Sequence, residues 1–336
     1  MPTRLESRRM VIAGASSLLG VELKSLLEES RFAASDFRLV DEETVAGTLT
    51  EAGGEAVVIQ PVEEDSFSKA WTIFFAGSPA FTKANLPLAK SSGAHIIDLS
   101  GELASHADSI VWLPKLKPTP VPSHPALWAV PSAPAEIIAR LASALQPYHP
   151  IALSGTAFQP VSAAGKPGIE ELEAQTTRLL SFQPVGKEVF DAQVAYTMLD
   201  RFGPSSGHSL DRSLEILRRE IRACLPAESK PPAVLLLHAP VFYGTTVAAC
   251  AFFHSPTDGA ALSQVCSAAG FTITDPDTPP SSVSSAGEIS LQLAPPSPDP
   301  SARGAFWFWA AADNIRLPAM NAIKLAEEVL AQKINE

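Results

Sequence analysis

One stretch limits the folds open to this chain more than any other: residues 10–23, M-V-I-A-G-A-S-S-L-L-G-V-E-L. The apolar run at 10–13 suits a strand buried on both faces. Gly14 then provides a turn, and Val21, Glu22 and Leu23 open a helical pattern. A parallel strand, a glycine turn and a helix N-terminus in that order gather unpaired N–H groups and the positive end of a helix dipole, which suits an anion. The spacing is Gly14-x-x-Ser17-x-x-Gly20, with Ser17 where a glycine would let a pyrophosphate come closest. Two readings stand: a dinucleotide turn made by Gly14, Ser17 and Gly20, and an ordinary strand-to-helix connection.

The rest of the first half repeats the alternation. Strands are predicted at 37–41, 56–59, 72–76 and 95–99, with helices at 21–27 and 80–90, which implies a parallel, doubly wound sheet. Asp41 ends the second strand 27 residues beyond Gly14, near where a carboxylate would meet a ribose. Residues 114–134 hold seven prolines and read as a crossing loop. Ser132 is the expected N-cap of a helix that places Pro134 in its first turn and repeats Ile137, Ile138, Leu141 and Leu145 at helical spacing. Beyond Pro150 the chain predicts a strand at 151–154, helices at 169–180 and Leu210–Cys224, and strands at 233–237 and 246–253. Residues 275–300 read as a second Pro/Ser-rich loop, followed by a strand at 305–311 and a final helix at 318–332.

At 336 residues the chain exceeds one compact core, so two domains are expected. A formal net charge of -11 with no basic block argues against nucleic acid and against an anionic membrane surface. The charged N-terminus reads as neither a signal peptide nor an anchor, and no apolar run reaches spanning length. Cys224, Cys250 and Cys266 lack metal-ligand spacing, and their odd count suits reduced thiols in the cytoplasm. No metal site is expected.

Six blocks in fixed order resemble the aspartate-semialdehyde dehydrogenase family. They are Gly14-Ala15-Ser16 through Gly20, Ala76-Gly77-Ser78, Ile96-Ile97-Asp98-Leu99-Ser100, Gln159-Pro-Val-Ser-Ala-Ala-Gly165-Lys-Pro-Gly168, Ala239-Pro-Val-Phe-Tyr-Gly244 and Ala312-Asp313-Asn314-Ile315-Arg316. The resemblance implies a Rossmann-type N-terminal domain over 1–134 and a central α/β dimerisation domain of the semialdehyde dehydrogenase type over 135–315. A C-terminal helix, 316–336, would return to the first domain. It also implies cofactor contacts from Gly14, Ser16, Ser17, Leu18, Gly20, Asp41, Ala76, Gly77, Ser100, Gly165 and Asn314.

Enzymes of this family attack a carbonyl with a cysteine thiolate, move the proton with a histidine and pass hydride between NADP and a covalent thioester. Carried onto this chain, the nucleophile position is Ala133 and the base position is Thr245. The arginine for the substrate carboxylate matches His238, and the phosphate-binding arginine matches Ala104. Gln159 alone survives of the catalytic set, while Arg219 and Arg222 fall near a Glu and Lys pair of the substrate pocket. Ser132 adjoins the lost nucleophile without the family's base, Lys166 lies in the glycine-rich turn, and His124 sits in the first proline-rich loop. His238 is read as a structural histidine ahead of a ligand-binding one, and Glu170 and Glu171 as a solvated first helical turn.

The pattern is that of the Usg-type paralogues, which keep the fold and lack the cysteine. It implies a catalytically silent protein that binds a nucleotide or a partner, such as an active paralogue, and forms a homodimer through its second domain. A non-thioester oxidoreductase using NAD(P) on another carbonyl and a purely structural interaction protein are the alternatives. Where the family holds a 2′-phosphate, this chain has Asp41-Glu42-Glu43, which favours NAD over NADP.

Overall fold

The computed structural model describes residues 8–52, 55–116, 122 and 124–335. The first residues of the charged N-terminus and positions 117–121 and 123 of the proline-rich loop lie outside the described residues. The chain divides into two compact units, one of residues up to Pro131 together with those from Pro318 onward, the other Ser132–Leu317. These divisions stand beside the sequence boundaries at 134 and 315: residues 132–134 open a helix of the second unit.

The first unit is built on β1 (Arg9–Ala13), α1 (Leu18–Glu28), β2 (Asp36–Asp41), β3 (Leu49–Ala52), β4 (Glu55–Val58), β5 (Gln60–Pro61), β6 (Ala70–Phe75), α2 (Pro79–Ser91), β7 (His95–Asp98), β8 (Ser109–Val111) and β9 (Leu127–Ala129). Its seven-stranded sheet runs β5-β2-β1-β6-β7-β9-β8, every pair parallel. β1 lies between β2 and β6, and Met10, Val11, Ile12 and Ala13 are each 0% exposed, as a strand covered on both faces requires.

Three expectations change here. Helix α1 begins at Leu18 rather than residue 21, because Ser17 supplies the cap. Residues 56–59 do not join the parallel sheet: β4 pairs antiparallel with β3 in a separate hairpin, and the two-residue β5 takes the edge place beside β2. The proline-rich loop hides a strand. Between Pro125 and Pro131, Leu127–Ala129 is buried and pairs with both β7 and β8, since prolines outside a three-residue strand remove none of its ladder donors.

The second unit contains α3 (Ala133–Leu145), β10 (Ala152–Gln159), α4 (Gly165–Leu180), α5 (Leu210–Cys224), β11 (Ala233–His238), β12 (Thr245–Phe252), α6 (Gly259–Ala268), β13 (Phe271–Ile273), α7 (Ser282–Ser285), β14 (Leu291–Leu293), β15 (Ser297–Pro298) and β16 (Ala305–Ala312). Its mixed sheet runs β11-β10-β12-β16-β14-β13, with β15 against β16. The expected loop at 275–300 therefore carries a helical turn and two short strands. β10 extends to Gln159, past the expected end at 154, and its Gly155 leaves the ideal Cβ site only 3.6 Å from Ile138.

One sheet face packs on α3, whose Ala133, Ala135, Ile137, Ile138, Leu141 and Leu145 are at most 1% exposed. The other face is open and apolar: Leu235, Phe252, Trp307 and Trp309 alternate with buried neighbours and remain exposed. Leu235, Thr156, Ala248 and Trp309 form one cross-strand row on it.

Near the end of this unit Asp313 caps α8 (Arg316–Asn335). Its Oδ1 accepts from the N–H groups of Ile315 (2.7 Å) and Arg316 (2.8 Å). From Pro318 onward that helix belongs to the first unit, where Ala319, Ala322, Ile323, Ala326 and Leu330 join its core. No helix among the described residues is long and apolar enough to cross a membrane.

Candidate functional site

In the first unit the site grows out of the glycine turn. Gly14 has φ +90°, and a Cβ there would stand 2.3 Å from the Gly77 nitrogen, so only glycine fits. A Cβ on Gly20 would meet the Gly14 carbonyl oxygen at 2.3 Å, which fixes the close seating of α1. Ser17 is the N-cap: its hydroxyl accepts from Gly20 N–H (2.9 Å) and donates to the Ala76 carbonyl (2.8 Å). The hydroxyl that stands at the pyrophosphate position thus already serves the turn and ties it to the loop after β6.

Asp41 is 6% exposed, and its Oδ2 accepts from both the N–H (2.7 Å) and the hydroxyl (2.6 Å) of Ser16. Its Oδ1 accepts from Glu42 N–H at 2.8 Å. The expected ribose carboxylate is therefore also the clamp of the glycine turn. Beside it opens a cavity of about 600 Å³ whose wall includes Asp41, Glu42, Glu43 and Glu63, with Phe81 and Asn85 opposite in sequence on α2. Glu63 is the acid the sequence did not single out.

Ser100, expected at a cofactor, donates its hydroxyl to Asp98 at 2.6 Å. Asp98 is 0% exposed and also accepts from Leu103 N–H at 2.8 Å. Burial pushes its carboxyl above the usual range, against the hydrogen bonds from Ser100 and Leu103. The pair shapes the short helical turn Glu102–Ser105, in which the phosphate-arginine position is the buried methyl of Ala104.

In the second unit Ser132 stands at the N-cap of α3 but makes no side-chain capping bond. Its hydroxyl donates instead to Glu220 Oε2, and its N–H donates to Glu220 Oε1 at 3.2 Å. The next residue, Ala133, is 0% exposed. Glu220 is the group the sequence reading missed. It lies on the apolar stripe of α5 with Leu217, Ile221 and Cys224, and an acid on that stripe was the available signal.

The structure gathers several of the other expected residues at the end of β10. Gln159 is half-buried there, its carbonyl accepting from Ala239 N–H at 3.0 Å. Thr245 opens β12, is 2% exposed and donates its hydroxyl to the Phe158 carbonyl at 3.1 Å. Asn314 joins the neighbourhood: its Oδ1 accepts from Gly244 N–H at 2.9 Å and its Nδ2 donates to the Ser162 hydroxyl at 3.1 Å. This engages both polar ends of the Asn314 amide within the second unit, as a strap where a cofactor contact was expected. Gly165 takes φ +73° and starts α4 four residues ahead of the expected 169.

Other expected pocket residues are placed elsewhere. Lys166 is 77% exposed and pairs with Glu170 at 3.7 Å. Arg222 donates to the carbonyls of Ser229 and Pro226 at the C-terminal end of α5, Arg219 is exposed, and His124 is exposed in the first unit. His238 is 0% exposed, lies between Phe190 (6.0 Å) and Phe202 (5.7 Å), and shares only Nε2 with the Val194 carbonyl at 3.3 Å. Burial lowers its pKa, against that carbonyl contact, so it is a neutral core histidine.

Glu171 corrects the solvated reading of its turn: it is 6% exposed and accepts from Phe190 N–H at 3.3 Å. The cysteines offer no replacement nucleophile. All three are buried, and burial pushes the Cys266 thiol up to about 12, far from the reactive thiolate. Among the described residues no group of three or more His, Cys, Asp or Glu could hold a metal ion.

The profile "Semialdehyde dehydrogenase, NAD binding domain" matches residues 9–124, and "Semialdehyde dehydrogenase, dimerisation domain" matches residues 141–317. A USG-1 protein homolog of Azotobacter vinelandii is 30% identical over 334 residues, covering 96% of this chain and 98% of that protein. Aspartate-semialdehyde dehydrogenase 2 of Vibrio cholerae is 23% identical over 330 residues, 95% and 96% of the two chains. The structure of a probable aspartate-semialdehyde dehydrogenase from Pseudomonas aeruginosa superposes with a TM-score of 0.85 at 24% identity, covering 97% of this chain and 99% of the other. With both halves matched in order and a relative alike along almost its whole length, the chain belongs to the semialdehyde dehydrogenase family.

Proposed function

We propose that this chain has lost the thioester chemistry of its family and acts by binding a nucleotide or a protein partner. The observation that carries this reading is Ala133, a methyl group at 0% exposure where the family's nucleophile stands. A methyl group attacks no carbonyl. In a comparable catalytic set, losing the nucleophile costs on the order of 10⁶ in rate, and further losses add little. Thr245 reinforces the reading. Its hydroxyl is donated to a backbone carbonyl, and an alcohol takes no proton near neutral pH.

The nucleotide half of the site is kept. Its glycine turn, the N-terminus of α1 and the groove beside Asp41 fit a dinucleotide whose adenosine ribose is unphosphorylated. Four carboxylates at that groove repel a 2′-phosphate, so the preferred nucleotide is NAD over NADP. Bound NAD would supply a hydride acceptor, while this chain's residues would orient the ribose and the diphosphate. The partner half of the proposal is a homodimer, or a pair with an active paralogue, formed through the open face of the second sheet and working in the cytoplasm.

Thermal-shift titration with NAD and NADP, beside an assay with aspartate semialdehyde and phosphate, tests the reading. NAD is expected to raise the melting temperature, with about 2.7 kcal/mol of stabilisation at 100 times its Kd. NADP is expected to do so less, and neither is expected to turn over. NADPH or NADH formation above the blank would overturn the silent reading in favour of a non-thioester oxidoreductase. No shift with either nucleotide would leave partner binding alone.

A further inference from the structure

The Ser132 hydroxyl has been turned away from the task its position prescribes. An N-cap serine ordinarily accepts a hydrogen bond from an N–H of the first helical turn. Here it makes no capping bond and donates to Glu220, a carboxylate that is 2% exposed, while Ser132 itself is half-buried. A second bond, from Ser132 N–H to Glu220 Oε1 at 3.2 Å, fixes the carboxylate relative to that hydroxyl. The result is a hydroxyl on a half-buried residue whose proton already points at a buried carboxylate, the pairing of alcohol and adjacent base that activates a nucleophile. The first turn of α3, in which the Ala133 and Ala135 N–H groups have no acceptor within the helix, follows Ser132 directly.

We propose that Ser132 and Glu220 form an acyl-transfer dyad acting on small carboxylic esters. Ser132 Oγ forms a bond to the ester carbonyl carbon as its proton passes to Glu220. The tetrahedral intermediate collapses, the C–O bond to the alcohol breaks, and Glu220 returns the proton to the departing alkoxide. Water then attacks the acyl-serine, its proton again taken by Glu220 and given to Ser132 Oγ, which releases the acid. The sum is ester plus water giving acid plus alcohol, with no change of oxidation state and no nucleotide. This activity goes beyond the binding role proposed above and is assayed with nucleotide omitted, so either proposal can fail alone.

The test treats the full chain with 4-nitrophenyl acetate and, separately, with a fluorophosphonate probe, and locates the adduct by peptide mass mapping. The expected result is one adduct on Ser132, with turnover of the ester. Glu220→Gln keeps an acceptor for the hydroxyl and is expected to slow adduct formation by about 10²–10⁴-fold, the range for loss of a general base. Ser132→Ala is expected to abolish the adduct. An adduct only on other residues, or none at saturating probe, overturns the dyad, and this map of the unaltered chain needs no variant to fold. An unchanged labelling rate in folded Glu220→Gln overturns the role of the carboxylate.

Discussion

His238 shows at the scale of one residue how a position can leave a pocket. The strand β11 ends on it, and its ring is enclosed by Phe190 and Phe202 with only the Val194 carbonyl as a polar partner. Burial holds its pKa below the ordinary 6.5, so the unfolded chain binds a proton there that the folded chain refuses. The stability conferred by the neutral ring is complete above about pH 6.5 and is lost as pH falls toward the folded value, at up to about 1.4 kcal/mol per pH unit. Replacing it by phenylalanine, which suits the same aromatic cluster, removes that loss. The melting temperature of His238→Phe is expected to fall less between pH 7 and pH 5 than that of the unaltered chain. Parallel curves from calorimetry would contradict a neutral buried ring.

At the scale of elements, α3 shows what lay open in the sequence and what did not. Its apolar positions and its Pro134 start are legible as periodicity. Glu136 and Arg140, 1% and 3% exposed, are not, because i,i+4 charges ordinarily mark a solvated face. They pair at 2.6 Å inside the core, and Arg140 also donates to the Ala269 carbonyl at 2.6 Å beyond the end of α6. Arg140→Met leaves Glu136 without this partner and is expected to destabilise the chain by about 3–5 kcal/mol in urea unfolding. The glycine turn was legible for the opposite reason: φ +90° at Gly14 and the 2.3 Å approach at Gly20 admit one residue type, so sequence and geometry are nearly the same statement. Ser17, Ser132 and Asn314 were ambiguous, since one hydroxyl or amide can meet a ligand or a backbone group, and only coordinates say which. Glu220 was hidden because its partner lies 88 residues away.

The whole molecule raises the question of the exposed sheet face. Leu235 (47% exposed), Phe252 (40%) and Trp307 (46%) lie on one side of β11, β12 and β16, an apolar area of the kind that marks association. The chain carries a net charge of -11, so a carboxylate added to this face meets like charge as well as losing contact. Leu235→Glu with Trp307→Glu is expected to halve the mass seen by sedimentation while leaving the far-ultraviolet dichroism unchanged; an unaltered mass would place the pairing surface elsewhere. The strap at Asn314 has its own consequence. One amide joins Ser162, Gly244 and the turn before α8, and those are the places where the last three of the six sequence blocks lie. The signature by which this chain resembles a dehydrogenase is thus written partly in the hardware of a joint. A name inferred from that signature travels with the joinery, and a lineage can hand the joinery on intact whatever becomes of the reaction.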